Sequence, residues 1–180
     1  MIKYKLTDQQ MRTHNGFQWE LGKPVETSGD GDLCGPGWLH YYDDPILAVI
    51  LNPIHANIAN PRLFECSAKG KHKLDRGLKG GCTLMHLIEE LELPYVSHVN
   101  RIAFGILCAL EINKDPAFVT WANNWLIGKD STRQSAYVAY ANAAANADYA
   151  AYAAKAAKAA TAAKSNIDLI AIAQKAMEIT

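Results

Sequence analysis

Cys34-Gly35-Pro36-Gly37-Trp38-Leu39-His40-Tyr41-Tyr42-Asp43-Asp44-Pro45-Ile46-Leu47-Ala48-Val49-Ile50-Leu51-Asn52-Pro53 reads as a turn, a strand, a capped entry and a short helix. Gly35, Pro36 and Gly37 supply the pre-set and unusual φ values that a sharp reversal needs. Trp38 to Tyr42 is aromatic-rich and suits a pleated, half-buried strand. Asp43 or Asp44 is placed to accept the orphan N–H groups of a helix whose first residue is Pro45. Ile46 to Leu51 is apolar almost all round, which predicts a buried helix, and Pro53 stops it. Residues before this run read as strands that pair with it, and residues after it as elements that cover it.

The chain has 180 residues, 18 acidic and 18 basic, so its formal net charge is zero. That length suits one domain with a real core, or a smaller one with an appendage. Zero net charge removes the electrostatic footprint of a nucleic-acid binder, so no nucleic-acid partner is expected, while a local basic patch stays open. No run approaches the roughly 18 apolar residues of a membrane span, and no signal-peptide core opens the chain. A cytoplasmic protein with no membrane partner is the expectation. Cys34, Cys66, Cys82 and Cys108 are scattered without a Cys-x-x-Cys, and no histidine pair has metal-ligand spacing. Free thiols and no metal are therefore expected.

In chain order, Met1 to Leu6 alternates as a first strand, and Asp8 to Asn15 is a polar loop carrying Arg12 and His14. Gly16 to Lys23 predicts a strand with Phe17, Trp19 and Leu21 on one face. Pro24-Val25-Glu26 is a short extended piece, and Ser28 to Asp32 a polar turn. That turn has the composition of a calcium loop without its ligand spacing or closing glutamate. Ile54 to Pro61 is a loop, and Arg62 to Ala68 a strand. Lys69, Lys71, His72, Lys73, Arg76 and Lys79 then cluster among Gly70, Gly77, Gly80 and Gly81. Thr83 to Leu93 fits a strand with Leu87, Leu91 and Leu93 inward, although Leu84, Leu87, Ile88 and Leu91 also have helical spacing; Pro94 ends either element. Ser97 caps an apolar helix through Ile102, Phe104, Ile106 and Leu110. Asp115-Pro116 opens another, with Phe118, Val119, Trp121, Trp125 and Leu126 on its buried side and Gly128 closing it.

The last fifty residues differ in kind. From Ala136 to Ala163, 17 of 28 positions are alanine, the best helix former, with tyrosine pairs Tyr137/Tyr140 and Tyr149/Tyr152. A single helix of about 34 residues would be about 50 Å long, longer than the rest of the domain is wide, so the tract must fold back, wrap or find a partner. Ser165-Asn166 is placed to cap a final amphipathic helix with Ile167, Ile170, Ile172, Ala173 and Met177 as its apolar stripe. Self-association through 131–180 is expected, with packing on its own domain as the alternative. The whole predicts an α+β fold: a small antiparallel sheet with covering helices, followed by an alanine-rich helical C-terminal extension. Residues 1–96 form the β-rich module, 97–130 the covering helices of the same domain, and 131–180 the extension.

Gly16-Phe17-Gln18-Trp19-Glu20-x-Gly22-Lys23, followed by Leu33-Cys34-x-x-Gly37-Trp38-Leu39-His40 and Asp44-Pro45, resembles an N-terminal module of uncharacterised phage and prophage proteins. Those proteins share Gly-Phe-Gln-x-Glu-x-Gly-Lys, then Cys-x-x-Gly-Phe-His, then a helix opened by proline, often with alanine-rich tails. Trp38-Leu39-His40 departs from the shorter Gly-Phe-His. The resemblance covers roughly residues 1 to 110 and implies a phage origin and a host bacterial cytoplasm, with no established activity. The layout is also similar, more distantly, to ADP-ribosyltransferase-like and RNA phosphotransferase-like folds. Their later catalytic signature is not recognisable here, Glu90 and Glu92 being only nominal stand-ins, and fold analogy does not carry function.

Lysine and arginine heads among glycine amides suit phosphate oxygens. The order is neither that of a P-loop nor that of a dinucleotide fingerprint, and a solvated hairpin with ordinary surface lysines is the alternative. His40 among Trp38, Tyr41 and Tyr42 offers stacking faces and a titratable edge, or is simply a satisfied core histidine. The expected ligand-binding set is Arg12, Trp38, His40, Tyr41, Lys71, His72, Lys73 and Arg76. No serine or cysteine has a nucleophile signature, so no catalytic residue and no cofactor is expected. The leading function is a non-enzymatic protein that binds a small phosphate-bearing, nucleotide-like ligand. On the phage resemblance, that ligand would be a nucleotide signal of host defence. An ADP-ribosyltransferase-like enzyme using NAD and a structural or protein-binding module acting through its alanine-rich helices are the alternatives.

Overall fold

A computed structural model describes residues 1–129, 149–164 and 166–180. By contact the chain divides into two compact units, Met1–Tyr95 and Val96–Thr180. The fold is α+β, with the sheet in the first unit. The helices expected to cover the sheet, 97–130, group with the C-terminal helices.

The first unit holds five antiparallel strands: β1 (Ile2–Thr7), β2 (Val25–Glu26), β3 (Leu39–Tyr41), β4 (Arg62–Asp75) and β5 (Lys79–Leu91). Their order is β1-β4-β5-β2, with β3 also paired to β5. The long β4–β5 hairpin is the spine, which settles Thr83 to Leu91 as strand. Its tip is Arg76-Gly77, with φ of +46° and +79°, closed by the Leu78 amide donating to the Asp75 carbonyl at 2.7 Å. Positive φ at both central residues of this turn, within a three-residue connection from Asp75 to Lys79, matches the right-handed twist of the flanking strands. β1 lies along the first half of β4, Ile2 opposite Ser67 through Thr7 opposite Arg62. Tyr4 and Tyr42 exchange backbone hydrogen bonds at 3.0 and 2.8 Å, so the chain leaving β3 meets the free side of β1 and the sheet curls back on itself.

The opening stretch folds as its residues dictate. Asp44 accepts from the amides of Ile46 and Leu47 at 2.8 and 3.0 Å, Pro45 is the first residue of α1 (Pro45–Leu51), and Leu47 to Leu51 are all buried. Asn52 and Pro53 then tighten the chain into a 3-10 turn. One expected strand is absent: Gly16 to Lys23 carries only isolated bridges, from Gln18 to Arg12 and from Leu21 to Leu87. Asn15, Gly16 and Gly22 have positive φ, which breaks an extended run. Phe17 and Leu21 are therefore exposed, and Trp19 alone enters the core, its indole donating to Thr13 Oγ1 at 2.9 Å.

In the second unit, α2 (His98–Ile112) starts at a capping box between Ser97 and Asn100. Asp115 caps α3 (Pro116–Leu126), and Gly128 follows with φ +74°. The buried Asn100 amide donates to the carbonyls of Ala176 and Ile179 at 3.0 and 2.9 Å, tying the start of α2 to the last helix. α4 (Tyr149–Ala163) packs its buried Ala153, Ala154, Ala157 and Ala160 against α2, small side chains allowing close approach. α5 (Leu169–Met177) starts later than expected and is capped by Asp168, whose carboxylate accepts from the Ala171 amide; of the expected cap Ser165-Asn166, Asn166 lies two residues before that cap and Ser165 outside the described residues. Tyr137 and Tyr140 lie outside them too, as does the first part, 131–148, of the tract expected to self-associate.

Candidate functional site

The glycines of the basic cluster have a different use from the one their composition suggests. Gly77 is at the hairpin tip and Gly70 faces Thr83, while Gly80 and Gly81 lie on the β5 arm against side chains of the segment 33–41. A Cβ at Gly80 would fall inside the Tyr41 ring, and one at Gly81 would meet Leu33 and Trp38. Gly80 and Gly81 therefore give clearance to these side chains. Leu39 and Tyr41 enter the core with Trp19, Phe64, Cys66, Cys82, Met85 and Leu87. Trp38 and His40 turn instead toward the loop 28–37.

That loop folds over the hairpin and gathers the candidate site. Its ends are joined where the Gly29 amide donates to the Gly37 carbonyl at 2.9 Å. The Gly31 carbonyl accepts from Trp38 Nε1 at 3.3 Å and from Lys73 Nζ at 3.0 Å, and that ammonium stands 5.8 Å from the Trp38 ring centroid. Lys73 also lies 4.0 Å from the fully exposed Asp32, a pairing that solvent reduces to little. Gly29 rests on Thr83 beside the Lys71 stem. Lys79 Nζ reaches Cys34 Sγ at 3.3 Å. His40 donates from Nε2 to the Leu33 carbonyl; burial lowers its pKa below the ordinary value, against the opposing effect of that hydrogen bond and with the help of the nearby Lys79 and Lys5 cations.

Trp38, His40, Lys71 and Lys73 thus meet around one loop, with Lys79 beside them. Trp38 is buried beneath that loop, so its ring serves as a platform for Lys73 rather than as an open stacking face. Tyr41 and His72 pair with each other, the phenol 3.0 Å from His72 Nδ1. Arg12 is bound within its own loop by Asp8 at 3.0 Å and Gln10 at 2.8 Å. Arg76 forms the hairpin tip.

One chemically unusual group escaped the sequence reading. Lys5 is buried in the core, donating to the His40 carbonyl at 2.7 Å with its ammonium 4.6 Å from the Trp19 ring centroid. Burial pushes its pKa down to about 8, against the smaller opposing effect of the neighbouring Cys66 and Cys82 thiols. Burial likewise pushes the Cys66 thiol up to about 12. A lysine at position 5 of an alternating strand carries no local mark of this. Its setting is made by Trp19 and His40, both distant in sequence. All four cysteines are free, and Cys34 alone among them is exposed.

The family described as a domain of unknown function, DUF7666, matches residues 1–98, close to the limits of the sheet unit. No curated protein and no solved structure matches the chain. Because the family match spans more than half of the sequence, the chain belongs to the family of the domain of unknown function DUF7666.

Proposed function

We propose that the sheet unit binds a small phosphate-bearing, nucleotide-like ligand at the loop 28–37, without turning it over. The observation that supports this most is the convergence of Lys73 on the Gly31 carbonyl and the Trp38 ring, with Lys71 along the same loop. Lys71 is exposed, and Lys73 is held by a carbonyl and a solvent-weakened carboxylate that a phosphate outcompetes as a partner. Burial disfavours the charged form of His40, so the positive charge of the patch rests on the lysines. The resemblance at Gly16–Lys23 and Leu33–Pro45 supports a phage or prophage origin. Sequestration of a nucleotide signal of host defence is the role proposed on that basis.

Isothermal titration against ADP-ribose and a panel of cyclic nucleotides tests this reading. Binding at about micromolar affinity or tighter is expected, with the ligand recovered intact. Lys71→Ala/Lys73→Ala should weaken it by about tenfold or more. Absence of heat from every member of the panel counts against the proposal.

A further inference from the structure

β4 outruns its neighbour on one side. β1 pairs with it from Arg62 to Ser67, the Ala68 amide donates to the Met1 carbonyl at 2.9 Å, and no described strand flanks that side from Lys69 to Asp75. This open edge carries Lys69, Lys71 and Lys73, all exposed. β5 outruns its neighbours at the diagonally opposite corner of the same sheet. β2 reaches Leu84 and Met85, Leu21 bridges Leu87, and from Ile88 to Leu91 no described strand lies on the side away from β4. This second edge carries Glu89, Glu90 and, just beyond the strand, Glu92, all exposed. Arg62 holds Glu90 at 2.8 Å. Among the described residues, the side chains of Glu89, Glu92, Lys69 and Lys71 make no hydrogen bond or ion pair.

We infer that these two edges recognise each other between copies of the chain, β5 of one molecule lying along the β4 edge of the next. An open strand edge presents unpaired N–H and C=O groups and is a template for another strand. Lysines on such an edge guard it against a like edge, since facing cations repel, and the glutamates guard β5 in the same way. Only the unlike pairing sets ammonium against carboxylate. Because the contact joins two unlike edges it is head to tail, and it builds a closed ring or an open chain of copies. The paired length is short and the charges exposed, which makes the association weak and salt-sensitive.

Sedimentation of the full chain across a wide concentration range tests this. At low salt the mean mass of the wild type should rise with concentration. At about 1 M NaCl, where the screening length is about 3 Å, it should stay that of one chain. Lys69→Glu/Lys71→Glu makes both edges acidic and Glu89→Lys/Glu92→Lys makes both basic. Each variant alone should associate about tenfold more weakly or less, and an equimolar mixture should recover association. Circular dichroism melts establish that both are folded, and Lys69→Gln/Lys71→Gln replaces the first pair if it is not. The Glu89/Glu92 variant leaves Lys71 and Lys73 intact, so it should keep ligand binding while losing self-association. A wild type that stays monomeric throughout, variants that associate as tightly as wild type, or a mixture that fails to recover overturns the inference.

Discussion

Gly80 lies under the phenol ring of Tyr41, and that contact fixes what β3 can look like. Gly80→Ala forces the ring or the strand aside, and overpacking of this kind costs about 1–3 kcal/mol. A urea or thermal melt should show that loss with secondary structure kept; an unchanged midpoint would mean the ring moves freely. Lys5 gives a prediction of a different sort. Its pKa is about 8 in the fold against the ordinary 10.5, so between those values the unfolded chain binds more protons. The stability Lys5 allows therefore rises with pH from about 8 to about 10.5, and the protonated form is the costly one. Comparing wild type with Lys5→Met, the difference should move in favour of wild type by up to about 3 kcal/mol over that window. Urea melts at several pH values check it, and parallel curves for the two proteins would refute it.

α1 is held by Asp44, which satisfies two amides at once, and by burial of nearly its whole circumference. Asp44→Ala should cost about 1 kcal/mol, read as a lowered melting midpoint that Asp44→Asn largely restores. This element was legible because cap, proline and apolar run are all local signals. Gly16 to Lys23 was misread for the converse reason. Phe17, Trp19 and Leu21 alternate correctly, but the backbone turns at Asn15, Gly16 and Gly22, and a period of two does not reveal a broken strand. The hairpin shows a third case. Composition records the freedom of its glycines as a turn signal, while Gly80 and Gly81 make room for Tyr41 and Trp38, about forty residues earlier.

Across the whole molecule, the family match at 1–98 and the compact unit Met1–Tyr95 nearly coincide. A protein ending at residue 98 should therefore unfold in one cooperative transition; a non-cooperative, molten trace would show that the sheet needs the helices. In the second unit, the described part of the alanine-rich tract already buries small residues against α2 of its own chain. Residue type alone singles out Trp38, His40, Lys71 and Lys73, and the fold gathers them around the loop 28–37, whose composition signals only a turn. Charge singles out Arg12 as well, and in the fold its guanidinium donates to Asp8 and Gln10 within its own loop. Lys5 was invisible because only the folded chain brings Trp19 and the His40 carbonyl to it. Titration of the full chain with ADP-ribose and cyclic nucleotides, repeated on Lys71→Ala/Lys73→Ala, decides most directly whether the loop 28–37 is a binding site. Binding there gives saturable heat for at least one ligand in the wild type and an affinity lower by about tenfold or more in the variant. Equal binding by both proteins, or none by the wild type, would contradict it.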